Sequence, residues 1–358
     1  MDATKGLQTM KRSRRWVGAV VTTGIVVALA LSGCSKAKPQ VTSAWPVADS
    51  ERSVPKPPEP LRWPLTGLKA PSQKAISKRP LSVKIENSPE SRPQTGLNTA
   101  DVIYESLTEG GITRFNCIYQ SATPKTVGPV RSARFSDLWV VPQYRALFFF
   151  SGASSTVNNA VNGAKIPNLS EDAGVSAPYY RSAQRSAPHN LFLDTKKAYA
   201  EAKKRGMPIT ATVPRLQFSA RSADTSNTVN SISIPFSQAN TSVWKWNADR
   251  KVYLRENNGR IHTDAATGKQ VASTNVVVLW AAYRAKSRDK VGSITYDIKL
   301  GGKGRVSVFR DGKRFDGTWV ADRGTPPRFK DSKGRVIKLS PGNTWFQVVP
   351  LNTNITMR

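Results

Sequence analysis

The chain has 358 residues, with 54 lysines and arginines against 24 acids, a net charge of +30, two histidines and two cysteines. So few histidines and cysteines exclude an ordinary zinc site. The length suffices for two domains of common size, and the charge selects polyanions as partners.

Lys11-Arg12-Ser13-Arg14-Arg15 precedes an uncharged run from Trp16 to Ala30, and Leu31-Ser32-Gly33-Cys34 follows. A positive start, a short apolar stretch and small residues before a cut are the layout of a secretory signal peptide, here residues 1–33. The run falls short of the roughly 20 residues that span a bilayer. Cys34 resembles the last residue of a lipobox. There a diacylglycerol is attached to the thiol before cleavage between Gly33 and Cys34, and palmitate-type chains then anchor the protein. The expected location is the outer face of the cytoplasmic membrane, extracytoplasmic, with the membrane as first partner. With Cys34 in a thioether, Cys117 has no disulfide partner and is expected to be a buried small hydrophobe. The leader's five basic residues less one acid account for +4, leaving about +26 on the mature chain. Nucleic acid is not an expected partner there. Anionic lipid headgroups and wall polymers such as teichoic acids are.

Residues 34–62 are rich in proline (Pro55-Lys-Pro-Pro-Glu-Pro) and predict an extended tether. Residues 63–220 mix strands and helices. Leu81–Asn87 alternates as a half-buried strand. Asp101–Leu107 and Arg114–Gln120 are two more strands joined by a Gly110-Gly111 turn, and Ala146–Phe150 reads as a buried strand. Thr156–Ala164 and Thr195–Arg205 predict helices, the second stopped by Gly206 and Pro208. A polar linker is expected over 221–231. From 232 to 358 strands alternate with turn pairs, among them Asn258-Gly259 and Asp311-Gly312, which predicts an antiparallel barrel or sandwich. The fold class is therefore α+β, a mixed α/β N-terminal domain followed by a β-rich C-terminal one. The five C-terminal tryptophans 244, 246, 280, 319 and 345 are read as packing residues rather than carbohydrate platforms.

Several motifs follow in order: Arg79-Pro-Leu-Ser-Val-Lys-Ile-Glu-Asn, Arg92-Pro-Gln-Thr-Gly-Leu, Glu109-Gly-Gly-Ile-Thr-Arg-Phe, Gly128-Pro-Val-Arg-Ser-Ala-Arg and Ala187-Pro-His-Asn-Leu-Phe. Together they resemble the YerB-like family of bacterial lipoproteins, a domain of unknown function with N- and C-terminal parts. The resemblance spans essentially the whole mature chain and implies its extent and location but no reaction. Arg131 and Arg134 stand one turn apart if Pro129 opens a helix and on neighbouring rungs of a loop otherwise, and Arg114 follows the glycine turn. Three such guanidiniums suit a phosphate or carboxylate. Glu105, Glu109 and Asp137 are candidate partners for them, and His189 with Asn190 a candidate supporting pair. The competing reading is that Arg–Glu pairs merely stitch loops to the sheet.

The stretch from Gly110 to Arg134 also resembles the core of the LytR-CpsA-Psr enzymes, whose arginines grip a polyprenyl pyrophosphate. Phe115 and Phe135 stand where that family sets acids, which speaks against magnesium-assisted transfer. The expectation is a non-enzymatic protein, without cofactor, binding an anionic wall polymer or lipid-linked precursor. The alternatives are a glycopolymer phosphotransferase and a non-catalytic regulator of wall enzymes.

Overall fold

The computed structural model describes residues 59–221, 227–288 and 292–358. The expected signal peptide, Cys34, the expected tether up to residue 58 and positions 222–226 of the expected linker lie outside these residues. In chain order the principal strands are β1 (Leu81–Glu86), β2 (Val102–Leu107), β3 (Thr113–Tyr119), β4 (Leu147–Phe149), β5 (Asn275–Arg288), β6 (Ile294–Lys299), β7 (Gly302–Arg310), β8 (Lys313–Ala321), β9 (Arg328–Lys330) and β10 (Thr344–Pro350). All ten join one sheet, ordered β9-β8-β7-β5-β10-β2-β3-β1-β4, with β6 paired to β5.

The sheet crosses the expected domain boundary. β10 pairs in parallel with β5 on one side and with β2 on the other, matching Trp345 to Ile103 and Gln347 to Glu105. The sequence halves 63–220 and 232–358 therefore share one sheet, and residues 58–358 form one compact unit. The C-terminal half is neither a closed barrel nor a self-contained sandwich. Its strands divide between the large sheet and a six-stranded sheet that includes Ser231–Ser237, Asn240–Asn247 and Val252–Asn257.

Strand alternation explains the layering, because successive side chains point to opposite faces. On one face Val83, Ile85, Phe115, Cys117, Val276, Val278 and Trp345 pack against Ile232, Ile234, Trp244 and Tyr253 of the six-stranded sheet. On the other, Val102, Tyr104, Ile118, Val277, Leu279 and Phe346 pack against helices α1 (Asp137–Gln143) and α2 (Ser155–Gly163). Burying each large apolar side chain contributes about 1.5–3 kcal/mol, so two such layers dominate stability. A third helix, α3 (Thr195–Lys204), is capped by Asp194, whose carboxylate accepts from Lys197 N at 2.9 Å.

β1 departs from its expected pattern. It is not half-buried, since all six of its residues are buried, Lys84 and Glu86 included. Loop 128–137 pairs with its free edge: Ile85 bridges Val130, Glu86 N donates to Pro129 O and Arg131 N to Lys84 O. A polar strip on β1 and β3 is thereby sealed inside. Cys117 is a free thiol with no exposure, and burial pushes its pKa far up. Trp244, Trp280, Trp319 and Trp345 are all buried, as packing residues should be.

Candidate functional site

The polar strip is set by the β1–β3 register. Glu86 lies opposite Arg114, and Lys84 opposite Asn116. Loop 128–137 brings Arg131, Arg134 and Asp137 to the same strip. Arg131 and Arg134 are not one helical turn apart, because Pro129 opens an extended segment and α1 begins only at Asp137.

Each carboxylate in the strip is engaged. Asp137 accepts from Lys84 Nζ at 2.9 Å, from Asn116 Nδ2 at 2.9 Å and from Arg134 N at 2.7 Å. It is thus a buried partner of Lys84, and it meets Arg134 only through the backbone. Glu86 pairs with Arg131 Nε at 3.2 Å and His189 Nδ1 at 3.0 Å. Glu109 Oε2 accepts from Arg134 Nε at 2.8 Å and Nη2 at 2.5 Å, while its Oε1 accepts from Thr295 Oγ1 at 2.7 Å. Burial pushes the Glu109 carboxyl up, but Arg134 and Thr295 outweigh it and hold the group below its usual range.

Arg114 is different. It is 7 % exposed; its Nη1 donates to Ser132 O at 3.2 Å, and its buried Nε has no hydrogen-bond partner. Among the described residues no carboxylate pairs with it, since Glu86 and Glu109 are both taken. Burial first, then the neighbouring charge of Arg134, brings its pKa down to about 9. It remains a cation at neutral pH, in a site that disfavours the charge.

Arg114 and Arg134 line one pocket with Glu109, Ser132, Ser154, Val157 and Thr295, of about 260 Å³. Ser154 is the N-cap of α2, its hydroxyl accepting from Val157 N at 3.4 Å. The structure thus brings two of the three expected arginines to one opening, while Arg131 turns aside to Glu86, which also holds His189. Glu105 serves none of these arginines. Pleating sends it to the opposite face, where it accepts from Arg255 Nη2 at 2.8 Å, Thr113 Oγ1 at 2.8 Å and Gln347 Nε2 at 2.9 Å. Asn190 accepts from Arg181 Nη1 at the surface and also lies apart. Ser132, Ser154 and Thr295 are pocket residues that sequence reasoning missed. Only Ser154, as the polar residue just ahead of a predicted helix, carried a signal.

The described residues form an α+β body in which a row of charged groups is buried beside loop 128–137 and Arg114 and Arg134 meet at one small opening. The N-terminal domain described as "Protein of unknown function (DUF3048)" matches residues 65–208, and the C-terminal domain of the same description matches 232–346. The chain belongs to this family. It is 32 % identical over 301 residues to "Putative lipoprotein YerB" of Bacillus subtilis (strain 168), covering 83 % of this chain and 89 % of that protein. The crystal structure of the YerB protein from Bacillus subtilis superposes with a TM-score of 0.74 at 29 % identity, over 83 % of this chain and 99 % of that one. These comparisons give no support to the resemblance to LytR-CpsA-Psr enzymes. Among the described residues no helix is long and apolar enough to cross a membrane.

Proposed function

We propose that this protein is a lipid-anchored, extracytoplasmic binding protein whose Arg114–Arg134 pocket takes an anionic ligand of the cell envelope, a glycopolymer or a prenyl-pyrophosphate precursor. One observation carries the reading. Arg114 is a buried guanidinium whose charge has no carboxylate of its own and whose Nε points at no acceptor. Buried charges are ordinarily paired, so a missing anion is the simplest completion of the site. The arginine fork favours bidentate oxyanions. The lipobox at Cys34 and the lipoprotein name of the Bacillus relative agree on membrane anchorage, and a mature charge of about +26 concentrates such a body near anionic polymer.

Titration of the full-length protein with pyrophosphate tests this. Arg114→Met keeps the side-chain volume and removes the charge, so binding should be lost while the fold is kept. Equal binding by Arg114→Met and the parent chain would remove the pocket from the account.

A further inference from the structure

Glu109 occupies the fork of Arg134 that an incoming oxyanion would use. We propose that Arg114, Arg134 and the amino end of α2 form a phosphate site in which Glu109 is the resident competitor, displaced when the ligand binds. The inference rests on the anion-pocket reading and assigns that pocket its ligand chemistry and its control.

The donors favour phosphate over carboxylate. They approach from three directions: Arg114 from β3, Arg134 from the loop ahead of α1, and the amino end of α2 beside Ser154. The first N–H groups of a helix have no partner within it, and the terminus carries partial positive charge. Ser154 satisfies only Val157 N, at 3.4 Å, which leaves the preceding amides free of intrahelical bonds. The helix end does not stand alone, because Arg114, buried and without a carboxylate partner among the described residues, lines the same pocket. A planar carboxylate has two oxygens to offer such a set, whereas a phosphate presents three out of plane. The pocket's space of about 260 Å³ is many times the roughly 10–15 Å³ that one ordered water needs, so it is open to a ligand larger than water.

Glu109 carries the opposite sign into that space. Its Oε2 alone accepts from both Nε and Nη2 of Arg134, the two donors that the oxygens of an oxyanion would otherwise take from this edge of the guanidinium. Thr295 on β6 holds the other oxygen at 2.7 Å. Gly110 and Gly111 follow with φ of +68° and +72°, a region glycine enters without strain. Ser237 Oγ donates to Gly111 O at 2.6 Å and fixes the backbone of this turn, so displacement falls on the Glu109 side chain, whose hydrogen bonds run to Arg134 and Thr295. Phosphate binding requires Arg134 to exchange one anion for another. Glu109 therefore lowers the apparent affinity and favours ligands with more charge than a single carboxylate.

The test is a calorimetric titration of full-length protein in detergent with inorganic phosphate, pyrophosphate and acetate. Arg114→Met, Glu109→Gln and Thr295→Val are compared with the parent chain. Pyrophosphate should bind best and acetate weakest. Arg114→Met should lose binding, and Glu109→Gln should bind at least about fivefold tighter, a typical coupling between competing occupants. Thr295→Val, which frees one oxygen of Glu109, should shift affinity in the same direction by less. It decides the matter if Glu109→Gln misfolds. Loss in Arg114→Met with no gain in Glu109→Gln or Thr295→Val would overturn the competitor role and leave the anion pocket standing. No binding by the parent chain, or no loss in Arg114→Met, would overturn both. Acetate equal to phosphate would overturn the phosphate assignment. Co-sedimentation with phosphatidylcholine vesicles containing phosphatidic acid, competed by glycerol phosphate, separates the two sources. Competition points to a soluble phosphate reaching the same site, whereas sedimentation unaffected by glycerol phosphate and by Arg114→Met would show headgroup binding elsewhere and count against the site.

Discussion

Glu105 on β2 and Arg255 on the six-stranded sheet form an ion pair with no solvent exposure on either side chain, Arg255 Nη2 lying 2.8 Å from Oε1 and 3.0 Å from Oε2. The pair spans 150 residues of sequence and ties the two sheets together. Trp345 Nε1 at 3.1 Å and Gln347 Nε2 at 2.9 Å, both on β10, donate to the same carboxylate. His262 lies against Arg255 through Nδ1, and its Nε2 is 2.6 Å from Gln94 Oε1. Burial, then the charges of Arg255 and Arg92, keep it neutral. Nδ1 therefore accepts from the guanidinium while Nε2–H donates to Gln94.

Removing one member of such a pair strands the other charge. Glu105→Gln should destabilise the fold by about 3–5 kcal/mol, measured as a shift of the urea midpoint with unchanged slope. Arg114→Met, which strands no carboxylate, should melt near the parent temperature. That contrast separates a structural arginine from a binding one.

The two halves should not fold apart. A fragment of residues 59–221 presents the bare edge of β2 where β10 belongs, together with apolar faces that the C-terminal half covers. We expect it to be aggregated or unfolded by circular dichroism and size exclusion, and to recover native structure only when co-expressed with 227–358. The segment expected as a linker, 221–231, is tied on either side of its undescribed residues: Ser219 N just ahead of it donates to Leu339 O, and Val229 N to Gly312 O. A soluble, cooperative 59–221 fragment would contradict the shared sheet.

Much of this architecture was legible residue by residue, and some of it could not have been. Asn258-Gly259 and Asp311-Gly312 take positive φ at both positions (50° and 71°, 54° and 69°), as short hairpins demand. The strands between them fell where alternation placed them. The parallel contact of β10 with β2 joins positions some 240 residues apart, and nothing local marks it. Lys84 and Glu86 read as the solvent side of a strand because the loop that buries them is encoded 45 residues later. Glu105 looked like a partner for the arginines through proximity in sequence, yet pleating turns it to the other face. Arg114 and Arg134 do meet at one pocket, while Arg131, from the same motif, leans to Glu86.

Asp101 gives the fold a pH signature. Burial raises its pKa to about 6, despite donation from Gln120 N at 2.6 Å, Ser121 N at 2.8 Å and the Ser121 hydroxyl. Between the unfolded value near 3.8 and about 6 the native state binds more protons than the unfolded one. Stability should therefore fall as pH rises through that window, by on the order of 3 kcal/mol from this group. Asp101→Asn should flatten this part of the profile in denaturation titrations at pH 4 to 7. An unchanged profile would assign the effect to other groups.

Anchorage should depend on one sulfur. Cys34→Ser leaves no thiol for the diacylglycerol, so labelling with an alkyne fatty acid should vanish and the protein should leave the membrane fraction. An acyl chain adds about 0.8 kcal/mol per buried methylene, more than a proline-rich tether can supply. Label retained in Cys34→Ser would contradict the lipobox reading.

The most direct measurement is an anomalous difference map from crystals of the protein soaked in tungstate, a tetrahedral oxyanion that scatters strongly. The account predicts a peak within hydrogen-bonding reach of Arg114 Nε and the Arg134 guanidinium, with the Glu109 carboxylate moved off Arg134, and no peak in Arg114→Met crystals. An empty pocket, or a peak that persists without Arg114, would contradict it.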